Sequence, residues 1–252
     1  GEVILPATFA MGWVAKVLEN MFSGVVLTGC ERMTVKKGLV ITRSLPERLV
    51  LQGEATTVNE DGLLMLDASI VDPDSGQVHY SYQGIELSHD LATNNQDSIA
   101  LELDLNNGDE LYRNNTLFHG DDFHLIKSYQ ETEEREILFT CQWLPQDDHQ
   151  VVDGHSTRAF CPMYADALLQ GALVWVKKYE GLPSIPMMIE NLRCYQPIKR
   201  GEILYIRASL VDQSDSQSIL YLSALKPDGR VHLAMKAAVI KSATLLEKFA
   251  AQ

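Results

Sequence analysis

Apolar side chains follow two rhythms along this chain. Over residues 163–176 nearly every position is apolar, and the run is broken only by Asp166 and Gln170. A helix that is hydrophobic all round must be buried, and Pro162 stands where proline starts a helix. Residues four apart share a helical face, so the carboxyl and the amide point together into one interior space. Asp166 falls in the second turn, too deep to act as an N-cap. Burying a lone carboxylate is costly, and the usual relief is to keep its proton near neutral pH. The spacing therefore predicts a neutral carboxyl in an apolar pocket, which is a general acid. The bland alternative is a structural carboxylate satisfied by backbone amides or by an arginine.

The second rhythm is a repeat. Pro6 opens an apolar stretch, Ala7-Thr8-Phe9-Ala10-Met11-Gly12-Trp13, as Pro162 opens the later one, 156 positions on. Asp72-Pro73-Asp74-Ser75-Gly76 is echoed by Lys226-Pro227-Asp228-Gly229, each a turn between strand-like runs. Each half reads as a helix, near 7–22 and 163–179, then a meander of about four strands. In the first half these fall near 25–35, 39–43 with 49–58, 63–71 and 77–87. A sheet must curl around an apolar helix to cover it, so the expected fold is α+β: a double hotdog, two antiparallel sheets each wrapped around a central apolar helix. The halves are 1–89 and 111–252, and the polar 90–110 is a linker. At the repeat offset Asp166 falls on Ala10 and Gln170 on Val14, so the polar pair occurs once.

Composition narrows the setting. The chain has 252 residues, 46% hydrophobic and 22% charged, enough for a large core. A net charge of −13 argues against nucleic acid and against an anionic membrane. The apolar runs are too short to span a bilayer, and the expected location is cytoplasmic. Cys30, Cys141, Cys161 and Cys194 are widely spaced and read as free buried thiols, with no zinc or redox pattern. Cys161 beside the helix start, with His155 upstream, is a weak nucleophile candidate. His119 with His124, and Asp147, Asp148, His149 and Asp153, lack metal-ligand spacing and read as solvated loop residues; no metal site is expected.

These residues resemble the dehydratase domains of polyketide and bacterial polyunsaturated fatty acid synthases, and the likeness runs the length of the chain. Pro162, Asp166 and Gln170 fit that family's Pro-x-x-x-Asp-x-x-x-Gln/His signature. Gly1-Glu2-Val3-Ile4-Leu5-Pro6 is similar to the end of its His-x-x-x-Gly-x-x-x-x-Pro motif, which places the histidine four residues before Gly1. His119-Gly120-Asp121-Asp122-Phe123 is a degraded Tyr-Gly-Pro-x-Phe, and Ile185-Pro186-Met187-Met188-Ile189 a degraded Leu-Pro-Phe-x-Trp.

The resemblance implies a β-hydroxyacyl thioester on the phosphopantetheine arm of an acyl carrier protein, with no other cofactor. The upstream histidine would take the α-proton, Asp166 would protonate the departing hydroxyl, and Gln170 would orient that hydroxyl or the carboxyl group. Backbone amides at a helix N-terminus would hold the thioester oxygen. Pro6, Phe118, His119, Gly120, Phe123, Pro162, Met163, Pro186 and Met187 would line the substrate path. Partners would be the carrier protein and other domains of a multienzyme from which this is an excised piece, with a homodimer also open. Lys177, Lys178, Arg193, Lys199 and Arg200 are candidates for carrier docking beside their plain reading as solvated surface. Two rivals use the same residues, an acyl-binding pseudo-dehydratase and a hotdog thioesterase. Lacking the upstream histidine, with His155 as its best stand-in, the chain as given is expected to dehydrate slowly or not at all.

Overall fold

The computed structural model describes residues 4–40, 48–58, 63–94, 105–132, 134–144, 157–199 and 201–241. Helix α1 spans Ala7–Met21, and the Pro6 carbonyl accepts from the N–H groups of Phe9 and Ala10 at its start. Strands β1 (Val26–Val35), β2 (Val50–Val58), β3 (Leu64–Val71) and β4 (Val78–Ser88) follow, close to their expected bounds. Helix α3, Pro162–Glu180, begins with Pro162 in its first turn and ends on Gly181, whose φ of 72° is the left-handed cap conformation glycine favours. Its strands are β8 (Ser184–Cys194), β9 (Ile203–Gln213), β10 (Gln217–Leu225) and β11 (Val231–Lys241).

The spatial order exposes the duplication. It runs β2-β3-β4-β1 and then β8-β11-β10-β9, a palindrome about the β1–β8 pair. All of these pairings are antiparallel. Instead of two separate sheets, the halves therefore share one continuous sheet. The reason is edge satisfaction: β1 and β8 would each leave a row of backbone groups unpaired, and joining them, Gly29 opposite Arg193 through Thr34 opposite Met188, closes both edges.

Beyond β9 the sheet continues through β7 (Ile137–Gln142), β6 (Ile126–Glu131) and β5 (Asn106–Asn107), strands that the expected meander did not include. With α2 (Asp109–Arg113) they turn the end of the predicted linker into part of the fold. Residues 95–104 of that linker lie outside the described residues, as do most of the expected 39–43 strand and its neighbours. Of that strand, Val40 makes a single bridge to Ile4.

The two helices are covered to different degrees. Every α3 residue from Pro162 to Val176 is buried, against β7, β8, β9, β10 and β11 and against α1. At its far end Glu180 accepts from Ser218 Oγ at 2.6 Å and pairs with Lys241 at 2.6 Å, tying the helix to β10 and β11. Helix α1 buries Phe9, Ala10, Met11, Val14, Ala15 and Leu18, but leaves Val17 and Met21 exposed. Its last turns run past the cover that the first half's strands supply.

Gly29 holds the seam where the halves join. A Cβ there would lie 2.8 Å from the Leu192 carbonyl oxygen on the facing backbone. Gly29→Ala should therefore force β1 and β8 apart and lower stability by about 1–3 kcal/mol. A drop in the urea midpoint measures this; an unchanged midpoint would show that the seam yields without cost.

Candidate active site

The site is assembled where α3 passes beneath the segment 112–126. Asp166 is 4% exposed and Gln170 fully buried, one turn apart on α3 as their spacing requires. Gln170 Nε2 donates to Asp166 Oδ2 at 2.9 Å and to the Phe123 carbonyl at 3.0 Å, using both amide hydrogens. Gln170 Oε1 accepts from the Tyr112 hydroxyl at 2.7 Å. That hydroxyl in turn accepts from the Ile126 N–H at 3.1 Å, and the Phe123 carbonyl at 3.5 Å is a second, longer acceptor for its proton. The chain of donors fixes the amide with its nitrogen toward the carboxyl. With Oδ2 accepting from Gln170, a proton on Asp166 belongs on Oδ1.

Desolvation raises the Asp166 pKa, against weaker opposing effects from His119, Gln170 and Thr8. The same burial raises the Tyr112 pKa and keeps that phenol protonated as a donor. From the first half, Thr8 on α1 brings its hydroxyl toward the carboxyl without closing a full hydrogen bond. At the repeat-related positions Ala10 and Val14 are buried and apolar, so α1 contributes this hydroxyl and no second carboxyl.

His119 is the principal departure from the expected solvated loop. Its side chain is 14% exposed, and its Nε2 lies 3.6 Å from Asp166 Oδ2. Phe118, itself half exposed, stacks on the ring at 4.9 Å and 15°, and Phe123 meets it at 6.4 Å. Phe123 also touches Phe9 of α1 at 5.5 Å. His124 stacks on Tyr112 at 3.9 Å and contacts the His119 carbonyl at 3.1 Å, so the two histidines are built into one wall. Desolvation lowers the His119 pKa, with Asp166 pulling the other way and His124 adding to the fall.

The other expected positions divide. Pro162 and Met163 are buried in the first turn of α3, and Pro6 caps α1. Gly120 has φ of −70° and open space around a would-be Cβ, so nothing local demands glycine. Pro186 and Met187 lie partly buried on β8, while Ile189 of the same motif lines a small cavity at the junction of the halves. Thr8, Met11, Cys30 and Met33 line it from one half, and Phe160, Ala165, Leu192 and Met235 from the other.

All four cysteines are free and buried, and desolvation pushes the Cys30 thiol up to about 12. Cys161 precedes α3, but His155 lies outside the described residues, as do Asp147, Asp148, His149, Asp153 and Arg200. Among the described residues no three His, Cys, Asp or Glu side chains converge as a metal site would need. Two docking candidates are already paired, Lys178 with Glu131 at 2.9 Å and Arg193 with Glu86 at 2.7 Å. No helix among the described residues is long and apolar enough to cross a membrane.

Residues 89–246 match the family model for the polyketide synthase dehydratase N-terminal domain. The chain belongs to that family, and it is a dehydratase-type domain of the polyketide and polyunsaturated fatty acid synthase kind. It is 25% identical over 212 residues to a polyunsaturated fatty acid synthase polypeptide of Thraustochytrium sp., covering 82% of this chain. The chain spans 7% of the length of that curated relative. In structure it resembles the CurJ dehydratase, solved as an inactive histidine-to-phenylalanine mutant, at 14% identity and a TM-score of 0.69, covering 97% of this chain and 85% of that one. It also resembles the dehydratase domain of PpsC from Mycobacterium tuberculosis in complex with C12:1-CoA, at 15% identity and a TM-score of 0.67, covering 96% and 86%. These likenesses carry the hotdog fold.

Because the folded pKa of Asp166 is raised, the folded state holds this proton more tightly than the unfolded chain does. Its contribution to stability is complete below the unfolded carboxyl pKa and is lost as pH rises through the folded value. Asp166→Asn should remove that downward trend from the stability profile. Carbon-detected NMR titration should place Asp166 above the usual carboxylate range of roughly 3.9, and a value at or below it would end its candidacy as an acid.

Proposed function

We propose that this domain eliminates water from a β-hydroxyacyl chain carried as a thioester on the phosphopantetheine arm of an acyl carrier protein. The observation that carries the reading is the buried Asp166 carboxyl, its pKa raised by desolvation, held by Gln170 in apolar surroundings. In the reaction a base removes the α-hydrogen and its electron pair becomes the Cα=Cβ bond. The Cβ–O bond breaks as Asp166 Oδ1 delivers its proton, so the hydroxyl leaves as water. Asp166 is left anionic and the base protonated, and a proton returned from base to acid resets the site. Gln170, committed to Oδ2, keeps the other oxygen turned to the substrate.

Support for an acyl ligand comes from the cavity beside Ala165, the neighbour of Asp166. It is lined by apolar side chains save for Thr8, and three of them are methionines. Thioethers on unbranched stems can bend aside, so the space can lengthen to suit a chain. The first turn of α3, with the positive end of its dipole, borders the same space through Ala165, with Phe160 just before the helix, and suits a thioester oxygen. The carrier protein, the other synthase domains and a place in a multienzyme are part of this proposal.

The chain with its natural flanking sequence should convert a carrier-bound β-hydroxyacyl chain to the enoyl form, seen by mass spectrometry as loss of water. Asp166→Asn, which preserves shape and can still accept from Gln170, should lower that rate at least about 100-fold. No loss of water from the folded protein would overturn the reading in favour of an acyl-holding role, and release of free acid from chains lacking a β-hydroxyl would do so in favour of a thioesterase. Met235→Ala should favour longer acyl groups, by about fourfold in relative kcat/KM per methylene accommodated, from roughly 0.8 kcal/mol per buried CH₂. A series of acyl lengths measures this shift.

A further inference from the structure

The first half of the chain also reaches the acid, through one side chain. The geometry points to Thr8 as the residue that holds the departing β-hydroxyl, its Oγ1 accepting the hydrogen of that hydroxyl while Asp166 protonates the oxygen. This rests on the dehydratase reading above and names the group that recognises the substrate's hydroxyl.

Three observations carry the assignment. The first is an open hydroxyl: Thr8 is 1% exposed, and its Oγ1 is buried with no hydrogen-bond partner. An apolar side chain of the same size would avoid that loss, so the hydroxyl does not serve the fold. The repeat sharpens the contrast. Tyr164 stands 156 positions on from Thr8, at the matching place in α3. Its hydroxyl donates to the Glu202 carbonyl and accepts from the Trp143 N–H. The later half thus satisfies its polar group at this position, and the earlier half leaves its own open.

The second is where that oxygen faces. Thr8 lines the cavity at the junction of the halves together with Ala165, the neighbour of Asp166. The other lining side chains are apolar apart from Cys30, whose thiol already lies 3.5 Å from both the Arg32 and the Gln83 carbonyls. Of the buried side-chain atoms without a partner among the described residues, Thr8 Oγ1 is the one on this lining. A hydroxyl entering on an acyl chain therefore meets one open oxygen there.

The third is reach. Helix α1 packs on α3, and the Thr8 hydroxyl approaches Asp166 from the half opposite the acid. Branching at Cβ stiffens the side chain, and the next residue, Phe9, is held by Phe123 at 5.5 Å. A β-hydroxyl between the two groups uses both. Its oxygen accepts the proton from Asp166 Oδ1, and its own hydrogen points to Thr8 Oγ1. As the Cβ–O bond breaks, the water keeps that hydrogen and carries away the proton from Asp166; Thr8 gains and loses none. Because the bond to Thr8 exists before the step as well as during it, it governs binding more than rate.

Binding separates this role from the chemistry. A β-hydroxyacyl-pantetheine analogue with an amide in place of the thioester resists loss of water, because its α-hydrogen is far less acidic. Calorimetry on the chain with its natural flanking sequence should show this analogue bound more tightly than the same acyl group without the hydroxyl. Thr8→Val keeps the volume and should cut that preference about tenfold, while Thr8→Ser should retain it. With the thioester substrate, Thr8→Val should raise KM about tenfold and leave kcat nearly unchanged. Its thermal melt should match or exceed the parent's, since an unsatisfied hydroxyl is gone, and Thr8→Ala supplies a second apolar replacement expected to bind alike. No preference in the parent, or one that survives in either folded apolar variant, overturns the assignment; water loss at the parental rate then leaves the dehydratase reading standing. A lower melt with an unchanged preference marks a structural hydroxyl satisfied by a bound water, and it overturns the assignment too, as does failure of both apolar variants to fold. If the preference depends on Thr8 but the thioester never loses water, Thr8 keeps its role and the dehydratase reading falls.

Discussion

A carboxyl buried in the middle of a wholly apolar helix sets the terms for the rest of this molecule. Asp166 can occupy that place only where strands enclose α3 on its several sides and where its charge is suppressed. The five strands β7 to β11, with α1, supply the enclosure, and desolvation disfavours the charge. The enclosing sheet is long enough because it does not stop at the boundary between the halves. Joining β1 to β8 carries it across to β4, β3 and β2 and gives α1 a surface to lie on beside α3.

The duplication supplies two similar frames, and they are used unequally. Both halves contribute a helix opened by proline and followed by four strands in the same order. Only α3 among the described helices carries an acid and an amide at the interior positions, whereas α1 offers Ala10 and Val14 there and a nearby threonine hydroxyl. A pseudo-symmetric scaffold thus holds an asymmetric site. The junction between the halves becomes an apolar, methionine-rich cavity rather than a second centre. Apolar lining on both sides keeps water from the carboxyl, which is what maintains its raised pKa.

The polar network around Asp166 has its own logic. Tyr112 accepts from a backbone N–H on β6 and gives its shorter hydrogen bond to Gln170, whose amide nitrogen turns to the carboxyl and to the Phe123 carbonyl. Together these bonds set the orientation of the acid. His119 stands outside this chain of donors, close to the acid but bonded to neither partner, and stacked aromatics hold it in place. Two buried polar atoms beside the network, His119 Nδ1 and Thr8 Oγ1, have no hydrogen-bond partner.

The sequence by itself determined what depends on local periodicity. The all-apolar run after Pro162 and the i, i+4 spacing of Asp166 and Gln170 are properties of a few consecutive turns, and they required a buried helix with one polar face. The proline-led repeat and the paired turns required two similar halves, and the strand bounds followed from them. Tertiary structure decided what depends on residues distant in the chain. Tyr112 meets Gln170 across 58 positions, His119 meets Asp166 across 47, and Thr8 approaches from the other half. Nothing in the neighbours of Tyr112 or Thr8 marks them for the site, and His119, among glycine and aspartates that read as solvated loop, was placed on the substrate path by the family resemblance alone. The fused sheet and the short strands β5 to β7 were likewise hidden, because strand pairing across an edge is a choice between distant backbones. Periodicity reports which face of an element is buried; it does not report what that face is buried against.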